Sequence, residues 1–142
     1  MIKNIEYYLD EGAFDPVHAH EADAGLDLKS RDTKVLKPHR AATFDTGVHI
    51  NIPKGYTLFL KSKSGLNVKY DIVGTGVIDA GYTGSIVVKL YNLGRKKYII
   101  NKGDKIIQGV LLKVETPALE KVTDFVSDAS DRKDGGFGST GK

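Results

Sequence analysis

Residues 74–84, which read G-T-G-V-I-D-A-G-Y-T-G, form the most informative pattern in the sequence. Val77 and Ile78, whose branched side chains suit a strand, lead directly into Asp79, and glycines lie on both sides. The pattern predicts a β-hairpin with one carboxylate and one aromatic ring, that of Tyr82, near its tip. Because glycine has no Cβ atom, a flat ligand could approach this backbone closely. A tight structural hairpin with a solvated aspartate is the alternative interpretation.

Outward from this stretch, short apolar segments alternate with turn residues along most of the chain. They predict strands at 5–9, 26–28, 35–36, 48–52, 56–60, 72–73, 77–78, 86–91, 98–100 and 106–114. A helical turn or two is expected only near residues 64–69. The sequence therefore predicts an all-β fold, either a sandwich or a barrel.

The length of 142 residues suits a single folded domain, and the composition is typical of globular protein, with 40% apolar and 27% charged residues. We expect the β domain to span 1–126, followed by a mobile, glycine-rich segment at 127–142, which is too polar to order itself. No apolar run approaches the length of a membrane helix, and the N-terminus lacks the apolar core of a signal peptide. The absence of cysteine excludes disulfides and thiolate metal sites and fits a reducing compartment.

The charge pattern argues against a nucleic-acid partner. The formal net charge is +3, and the basic residues look scattered rather than gathered in a stripe with interleaved aromatics. A modest positive field suits a small polyanionic ligand equally well.

Three segments of the β domain could carry chemistry, each with an ordinary alternative. Asp27 lies between two leucines, and it is either a carboxylate on the solvent face of a strand or an outer partner of a hydrated cation. The run 61–66, K-S-K-S-G-L, offers groups that suit a phosphate, or it is a solvated turn. Gln108 in an apolar strand either satisfies a neighbouring loop or presents its amide to a ligand.

The C-terminal segment carries an unusual pair of residues, Arg132 and Phe137. No local core can form around Phe137, so its ring has little purpose unless it binds a ligand. A guanidinium that binds phosphate and a ring that stacks on a base are natural partners for a nucleotide. The alternative interpretation is a C-terminal segment in which these two residues bind nothing.

These five runs, at 24–28, 61–66, 74–84, 103–108 and 135–141, resemble in order the five motifs of the trimeric deoxyuridine triphosphatase (dUTPase) family. The resemblance implies a cytoplasmic homotrimer of jelly-roll-like β-barrel subunits, of the dUTPase-like β-clip type, with three sites that each draw on all three chains. It implies hydrolysis of dUTP to dUMP and pyrophosphate with Mg²⁺, which keeps uracil out of DNA and supplies dUMP for thymidylate synthesis.

The resemblance also implies roles for individual residues. Asp79 would activate the water that attacks the α-phosphorus, Tyr82 would pack against the deoxyribose, and Asp27 would hold Mg²⁺ through water. The backbone of Gly74, Gly76, Val77 and Ile78 would read the uracil edge, and Phe137 would stack over the base. The phosphates would be contacted by Lys63, Ser64, Gly65, Gln108, Arg132, Gly138, Ser139 and Thr140.

Four positions depart from the family pattern. Lys63 stands where arginine is usual, Gly81 where aspartate is usual, Thr83 where arginine commonly follows the tyrosine, and Lys133 where glycine is usual. Lys63 keeps the charge but loses the bidentate fork of arginine. The changes at Gly81 and Thr83 together remove one ion pair from the tip of the third motif.

Two other functions stay open beside hydrolysis. A dCTP deaminase of the same fold would need a differently equipped pocket, and release of ammonia from dCTP would identify it. A regulatory protein that binds a partner, with the nucleotide as a switch, is the third interpretation. The short interval between Gln108 and Arg132 shows no inserted segment for such a partner.

Overall fold

Short antiparallel strands make up most of the chain. The computed structural model describes residues 2–125, 135–138 and 141. In chain order the elements of this part are β1 Tyr7–Leu9, β2 Gly25–Lys29, β3 Lys34–Leu36, β4 Ala41–Asp45, β5 Val48–Ile50, β6 Tyr56–Ser62, α1 Ser64–Tyr70, β7 Ile72–Val73, β8 Thr75–Asp79, β9 Val87–Asn92, β10 Tyr98–Ile100 and β11 Lys105–Lys113. The predicted all-β class is confirmed, and so is the helical turn near residues 64–69.

The strands pair into four small sheets. The largest has the order β2-β11-β6-β8, a second has the order β4-β9-β7, and the two-stranded pairs are β1-β5 and β10-β3. Every pairing is antiparallel. β8 therefore lies at the edge of the largest sheet, with β6 on one side, and this position decides what its backbone can contact.

The core follows from the two-residue period of the strands. In β9 the side chains of Val88, Leu90 and Asn92 are buried, while their neighbours along the strand are exposed. Fully burying one such aliphatic side chain stabilises the fold by about 1.5–3 kcal/mol. The buried apolar side chains form one cluster: Leu28, Leu36, Phe44, Val48, Ile50, Ile52, Leu58, Leu60, Ile72, Ile86, Val88, Leu90, Ile100, Ile106 and Ile107.

The predicted hairpin at residues 74–84 is wrong. β8 pairs with β6, with Val77 opposite Phe59, whereas the next strand, β9, pairs with β4 in a different sheet. After the turn the chain crosses to the second sheet, where the Thr46 N–H donates to the Ile86 carbonyl at 3.0 Å. The crossing is favoured because it buries Ile86, which is 1% exposed.

One strand, β4, was not expected from the sequence. Its residues A-A-T-F-D contain a single large apolar side chain, Phe44, so no alternating pattern is visible. The structure buries Phe44, and Ala42 packs against the same core. Small residues can line an inward face without producing a hydrophobic signal.

The predicted division into 1–126 and 127–142 has its boundary outside the described residues and stays a prediction. The part of the chain that the structure describes has no helix with the length and apolar character needed to cross a membrane.

Candidate active site

Asp27 on β2 is a buried carboxylate held by two lysines. Its side chain is 3% exposed, and its Oδ1 accepts a hydrogen bond from Lys63 Nζ at 2.5 Å, while Lys105 Nζ lies 3.5 Å from Oδ2. Burying an unpaired carboxylate is costly, and the two ammonium groups offset that cost. The interpretation of Asp27 as a solvent-facing aspartate is wrong, and no sequence pattern indicated Lys105 as its partner.

Gln108 on β11 lies opposite Asp27 and joins two elements of this region. Its Nε2 donates a hydrogen bond to the Ser62 carbonyl at 2.9 Å, which fixes the end of β6. A Cβ atom at Gly25 would collide with the Gln108 side chain, so the glycine of the first motif makes room for it. Of the two interpretations of Gln108, the structure shows the contact with a neighbouring segment, and a contact with ligand stays a prediction.

The helix α1 begins directly beside this carboxylate. Its N-cap residue is Lys63, which makes no side-chain cap, and Ser64 and Gly65 in the first turn are exposed. The first N–H groups of a helix have no partner within the helix, so they are free to bind an anion together with the nearby ammonium groups. We call Asp27, Lys63, Ser64, Gly65, Lys105 and Gln108 the phosphate-side cluster.

A basic groove continues from the phosphate-side cluster along α1. A pocket of about 260 Å³ touches Lys63 and Lys105, and it shares Lys69, Tyr70 and Tyr98 with a second pocket of about 400 Å³. The second pocket is also lined by Asp71, Leu93, Gly94, Arg95, Lys96 and Lys97. The expectation of scattered basic residues is therefore wrong for this face, because the fold gathers side chains that are distant in sequence.

Asp79 lies at the other end of the β6–β8 pair. It is exposed, and its partner in register is Thr57, whereas the phosphate-side cluster follows Ser62. Thr57 and Ser62 are five positions apart on β6, which corresponds to about 17 Å along the strand. Within one chain, the structure does not bring Asp79 together with the phosphate-side cluster.

Two glycines of the third motif, Gly74 and Gly76, pack closely against neighbouring side chains. The Gly74 N–H donates a hydrogen bond to Ser62 Oγ at 3.0 Å, and Ser62 Oγ donates one to the Gly74 carbonyl at 3.1 Å. A Cβ atom at Gly74 would lie 2.8 Å from Ile107, and one at Gly76 would lie 3.2 Å from Leu60. Packing therefore explains the lack of a side chain at both positions, and the expected contact of their backbone with uracil stays a prediction.

Val77 and Ile78 lie on the part of β8 that a ligand could contact. Val77 is 55% exposed, and within the described residues the outer edge of β8 has no strand partner. Backbone groups of an edge strand that point away from the sheet are available for pairing with a ligand. The Ile78 carbonyl accepts a hydrogen bond from Thr57 Oγ1 at 2.9 Å, which fixes this end of the strand.

The turn after β8 carries Tyr82 and explains Gly81. The Tyr82 N–H donates to the Asp79 carbonyl at 3.2 Å, and Gly81, in the third position of the turn, has a φ of +88°. Such a positive φ is typical of glycine in a type II turn. The Tyr82 hydroxyl donates to the Ser85 carbonyl at 2.7 Å, and the ring covers Gly84, where a Cβ atom would clash.

Beyond the turn, Ser85 anchors the chain to the end of β4. Its Oγ donates a short hydrogen bond to Asp45 Oδ1, and the Gly47 N–H donates to Ser85 Oγ at 3.0 Å. The hydrogen bond from Ser85, followed by that from the Gly47 N–H, holds the pKa of Asp45 below its usual value. This anchor contains none of the residues predicted from the sequence.

The C-terminal residues are described only in part. Phe137 is fully exposed, with a φ of +46°, and Gly138 has a φ of +91°. Arg132, Lys133, Ser139 and Thr140 lie outside the described residues. The roles expected of these residues stay predictions.

A magnesium ion would find few direct ligands here. No group of three or more His, Asp or Glu side chains that could hold a metal occurs in residues 2–125, 135–138 and 141. Asp27 is already contacted by two ammonium groups, but a carboxylate has about four lone-pair sites and can still accept hydrogen bonds from water. The residues present therefore fit an ion that brings its own water and phosphate ligands, with Asp27 in an outer position.

The sequence is similar to dUTPases over most of its length. The dUTPase family model matches residues 13–141. The chain belongs to the dUTPase family. It is 39% identical over 136 residues to the deoxyuridine 5'-triphosphate nucleotidohydrolase of Clostridium acetobutylicum, covering 94% of this chain and 92% of that protein. It is 39% identical over 135 residues to the mouse (Mus musculus) protein of the same name, covering 94% and 82% of the two chains.

Solved dUTPase structures also resemble this chain. A mutant dUTPase of Staphylococcus bacteriophage 80alpha with dUpNHpp has a TM-score of 0.93 at 32% identity and covers 99% of this chain and 100% of that chain. A mutant dUTPase from phage phi11 of S. aureus, described with a structural Mg(II) ion, has a TM-score of 0.82 at 33% identity and covers 87% and 99%. The fold and family expected from the five motifs are confirmed.

Proposed function

We propose that this protein is a dUTP diphosphatase, which hydrolyses dUTP to dUMP and pyrophosphate at sites shared between the chains of a homotrimer. The observation that carries the proposal is that a chain of the dUTPase family presents an exposed carboxylate, Asp79, at the end of β8 beside Tyr82. The relatives bear the name of this activity, and a related structure contains the substrate-like nucleotide dUpNHpp.

Recognition of the base is assigned to the outer edge of β8. The backbone beside Val77 and Ile78 offers alternating donors and acceptors, which can pair with the edge of uracil. Tyr82, held by Ser85 and Gly84, offers the face of its ring to the deoxyribose. The strand backbone and the fixed ring together would exclude a larger sugar or base by shape.

Hydrolysis is assigned to Asp79. A carboxylate that is exposed to solvent can contact a water molecule and accept a proton from it. The resulting oxygen attacks the α-phosphorus, a new P–O bond forms, and the bond to the bridging oxygen breaks with pyrophosphate as the leaving group. The base must lie within hydrogen-bond reach of the water, so the α-phosphate has to be bound close to Asp79.

The phosphate chain is assigned to the phosphate-side cluster of another subunit. Asp79 is about 17 Å along the strand from this cluster in its own chain, and a triphosphate bound at that cluster would not reach it. A ring of identical subunits with head-to-tail contacts brings the two regions together between neighbours. The exposed apolar side chains of Val35, Val87 and Ile99 are suited to contacts between chains.

Magnesium and the C-terminal segment complete the proposed site. The ion would offset phosphate charge and would arrive with the nucleotide, and Asp27 would hold its water shell. Arg132, Ser139 and Thr140 would contact phosphates, and Phe137 would cover the base when the segment closes over the site. The proposal includes a cytoplasmic location, which cell fractionation with an antibody against the protein would test.

A panel of nucleotides tests the function. With pyrophosphate detection, we expect hydrolysis of dUTP and much slower hydrolysis of dCTP, dTTP and UTP. Ammonia released from dCTP would instead identify a deaminase. Equal hydrolysis of all four nucleotides would contradict the proposed reading of the base by β8.

A further inference from the structure

His49, on β5, contacts the loop 79–84 from outside. Its Nδ1 lies 2.8 Å from the carbonyl oxygen of Thr83, and its Nε2 lies 3.0 Å from Oδ1 of Asp10. The His49 side chain is only 13% exposed. Thr83 directly follows Tyr82, so this contact reaches into the loop that carries the proposed catalytic and sugar-binding side chains.

The geometry matches the protonated form of His49. A carbonyl oxygen and a carboxylate both accept hydrogen bonds, so both ring nitrogens must carry a hydrogen to satisfy the two contacts. Tyr8 stacks on the imidazole, with the ring centroids 4.2 Å apart and an angle of 9° between the planes. A positive ring beneath an aromatic face is further stabilised by the cation–π interaction.

Other charged groups around His49 favour the same form. Asp10 and Asp45 are both negative, and Arg31, whose Nη1 lies 3.8 Å from Asp10, is the positive group nearby. Glu6 and Tyr7 line the cavity next to the ring. The hydrogen bond to Thr83, followed by that to Asp10, raises the pKa of His49 above its ordinary value of 6.5, against a smaller opposing effect of burial.

A neutral imidazole can satisfy only one of the two contacts. The hydrogen bond to the carboxylate of Asp10 is charge-assisted and therefore stronger than the one to a carbonyl. The neutral ring consequently keeps its hydrogen on Nε2, and the lone pair of Nδ1 faces the Thr83 carbonyl. Deprotonation thus removes the contact with the loop and retains the contact with Asp10.

We propose that His49 is a positioning residue for the candidate active site, whose protonated ring holds Thr83 and thereby fixes the loop 79–84. When the ring loses its proton, the loop loosens and hydrolysis becomes less efficient. The inference rests on the proposed function only for its catalytic consequence.

The flanks of the loop are held independently of this proton. Before the loop, β8 pairs with β6, and after it Ser85 and Ile86 are bound to the segment 45–48. Deprotonation of His49 is therefore expected to loosen the loop without unfolding it.

Nuclear magnetic resonance tests the contact without reference to activity. The amide of Gly84 shares its peptide group with the Thr83 carbonyl, so we expect its chemical shift to change with the same midpoint as the ring nitrogens of His49, above pH 6.5. In Asp10→Asn the amide can donate to Nε2, which leaves Nδ1 protonated towards Thr83 at all pH values. The Gly84 shift should then no longer follow the pH. His20→Gln, at an exposed histidine in another loop, is the matched control and should leave the Gly84 titration unchanged.

Kinetics test the consequence. We expect His49→Phe, which keeps a ring for Tyr8, to lower kcat/KM about fivefold at pH 6.5 and to lose the decrease that the wild type shows at higher pH. Asp10→Asn should keep its efficiency at a pH where the wild type has declined. If the chemical shift of the Gly84 amide does not follow the titration of His49 in the wild type, the proposal is wrong, whatever the enzyme hydrolyses. If the amide follows His49 but no variant hydrolyses dUTP, the contact stands and the proposed function fails.

Discussion

The phosphate-side cluster and the loop 79–84 place their charged groups in contrasting surroundings. In the cluster, Asp27 is buried and is held by the ammonium groups of two lysines. In the loop, Asp79 is exposed, and the backbone is fixed by hydrogen bonds from Tyr82 and His49. The difference indicates that the cluster depends on charge pairing for its stability, whereas the loop leaves its carboxylate free for chemistry.

Removal of the Asp79 carboxylate from the loop should have the largest effect of the changes considered. We expect Asp79→Asn to lower kcat by about 10²–10⁴, because an amide at this position cannot take the proton of the attacking water. Binding of a non-hydrolysable dUTP analogue, measured by calorimetry, should be nearly unchanged. The stability should also stay within about 0.5 kcal/mol of the wild type, since the side chain is exposed. Near-normal turnover would remove Asp79 from its proposed role.

Removing a charge from the cluster should instead affect folding. We expect Lys63→Met to lower the free energy of unfolding by about 2–3 kcal/mol, because buried Asp27 loses its nearer partner. Lys105→Met is the matched control, and the longer distance of 3.5 Å predicts a smaller loss. Urea denaturation measures both values. Equal losses in the two variants would contradict this prediction. They would mean that the 2.5 Å contact of Lys63 with Asp27 contributes no more stability than the longer contact of Lys105.

Replacing a glycine with alanine should affect stability differently in the two regions. Gly81→Ala should destabilise the protein by about 1 kcal/mol, because an alanine at a φ of +88° is strained although nothing lies near its Cβ atom. Gly65→Ala, in the first turn of α1, should be neutral or slightly stabilising, since its Cβ atom also meets nothing and alanine favours a helix. Thermal unfolding measures the stability of both variants. A Gly81→Ala variant as stable as the wild type would contradict the assigned turn.

The smallest effect is expected from the basic groove beside the cluster. Replacing both Arg95 and Lys97 with glutamine should lower kcat/KM about twofold to fivefold at low salt, because their field attracts the polyanionic nucleotide. The difference should vanish at about 0.5 M salt, where exposed charges are screened. Lys54→Gln, at a turn outside the groove, is the control. A deficit that persists at high salt would indicate direct contact with the nucleotide rather than attraction at a distance.

The sequence predicts local features of this fold well. Ten of its strands were expected from alternating or branched apolar residues, and α1 was expected as a short helical turn. β4 was missed because Ala41, Ala42 and Thr43 produce no hydrophobic signal. The partner of β8 was misassigned because strand pairing depends on where distant apolar side chains are buried.

The candidate site was predictable in its residue types but not in its contacts. Asp27 was singled out by its place in an apolar strand, yet its partner Lys63 lies 36 positions away. The contact between His49 and Thr83 spans 34 positions, and neither residue is unusual in its own segment. Such pairs are brought together by the tertiary fold, so a local pattern cannot reveal them.

Mixing two variants that we each expect to be inactive tests whether Asp79 and the phosphate-side cluster of one site belong to different chains. Asp79→Asn and Gln108→Ala would be refolded together in equal amounts, and dUTP hydrolysis would be compared with each variant alone. Random mixing should restore about a quarter of the wild-type activity, because that share of sites combines two intact regions from neighbouring chains. If the mixture is no more active than the separate variants, although mixed oligomers form, both regions must act within one chain and the proposed sharing of sites between chains is wrong.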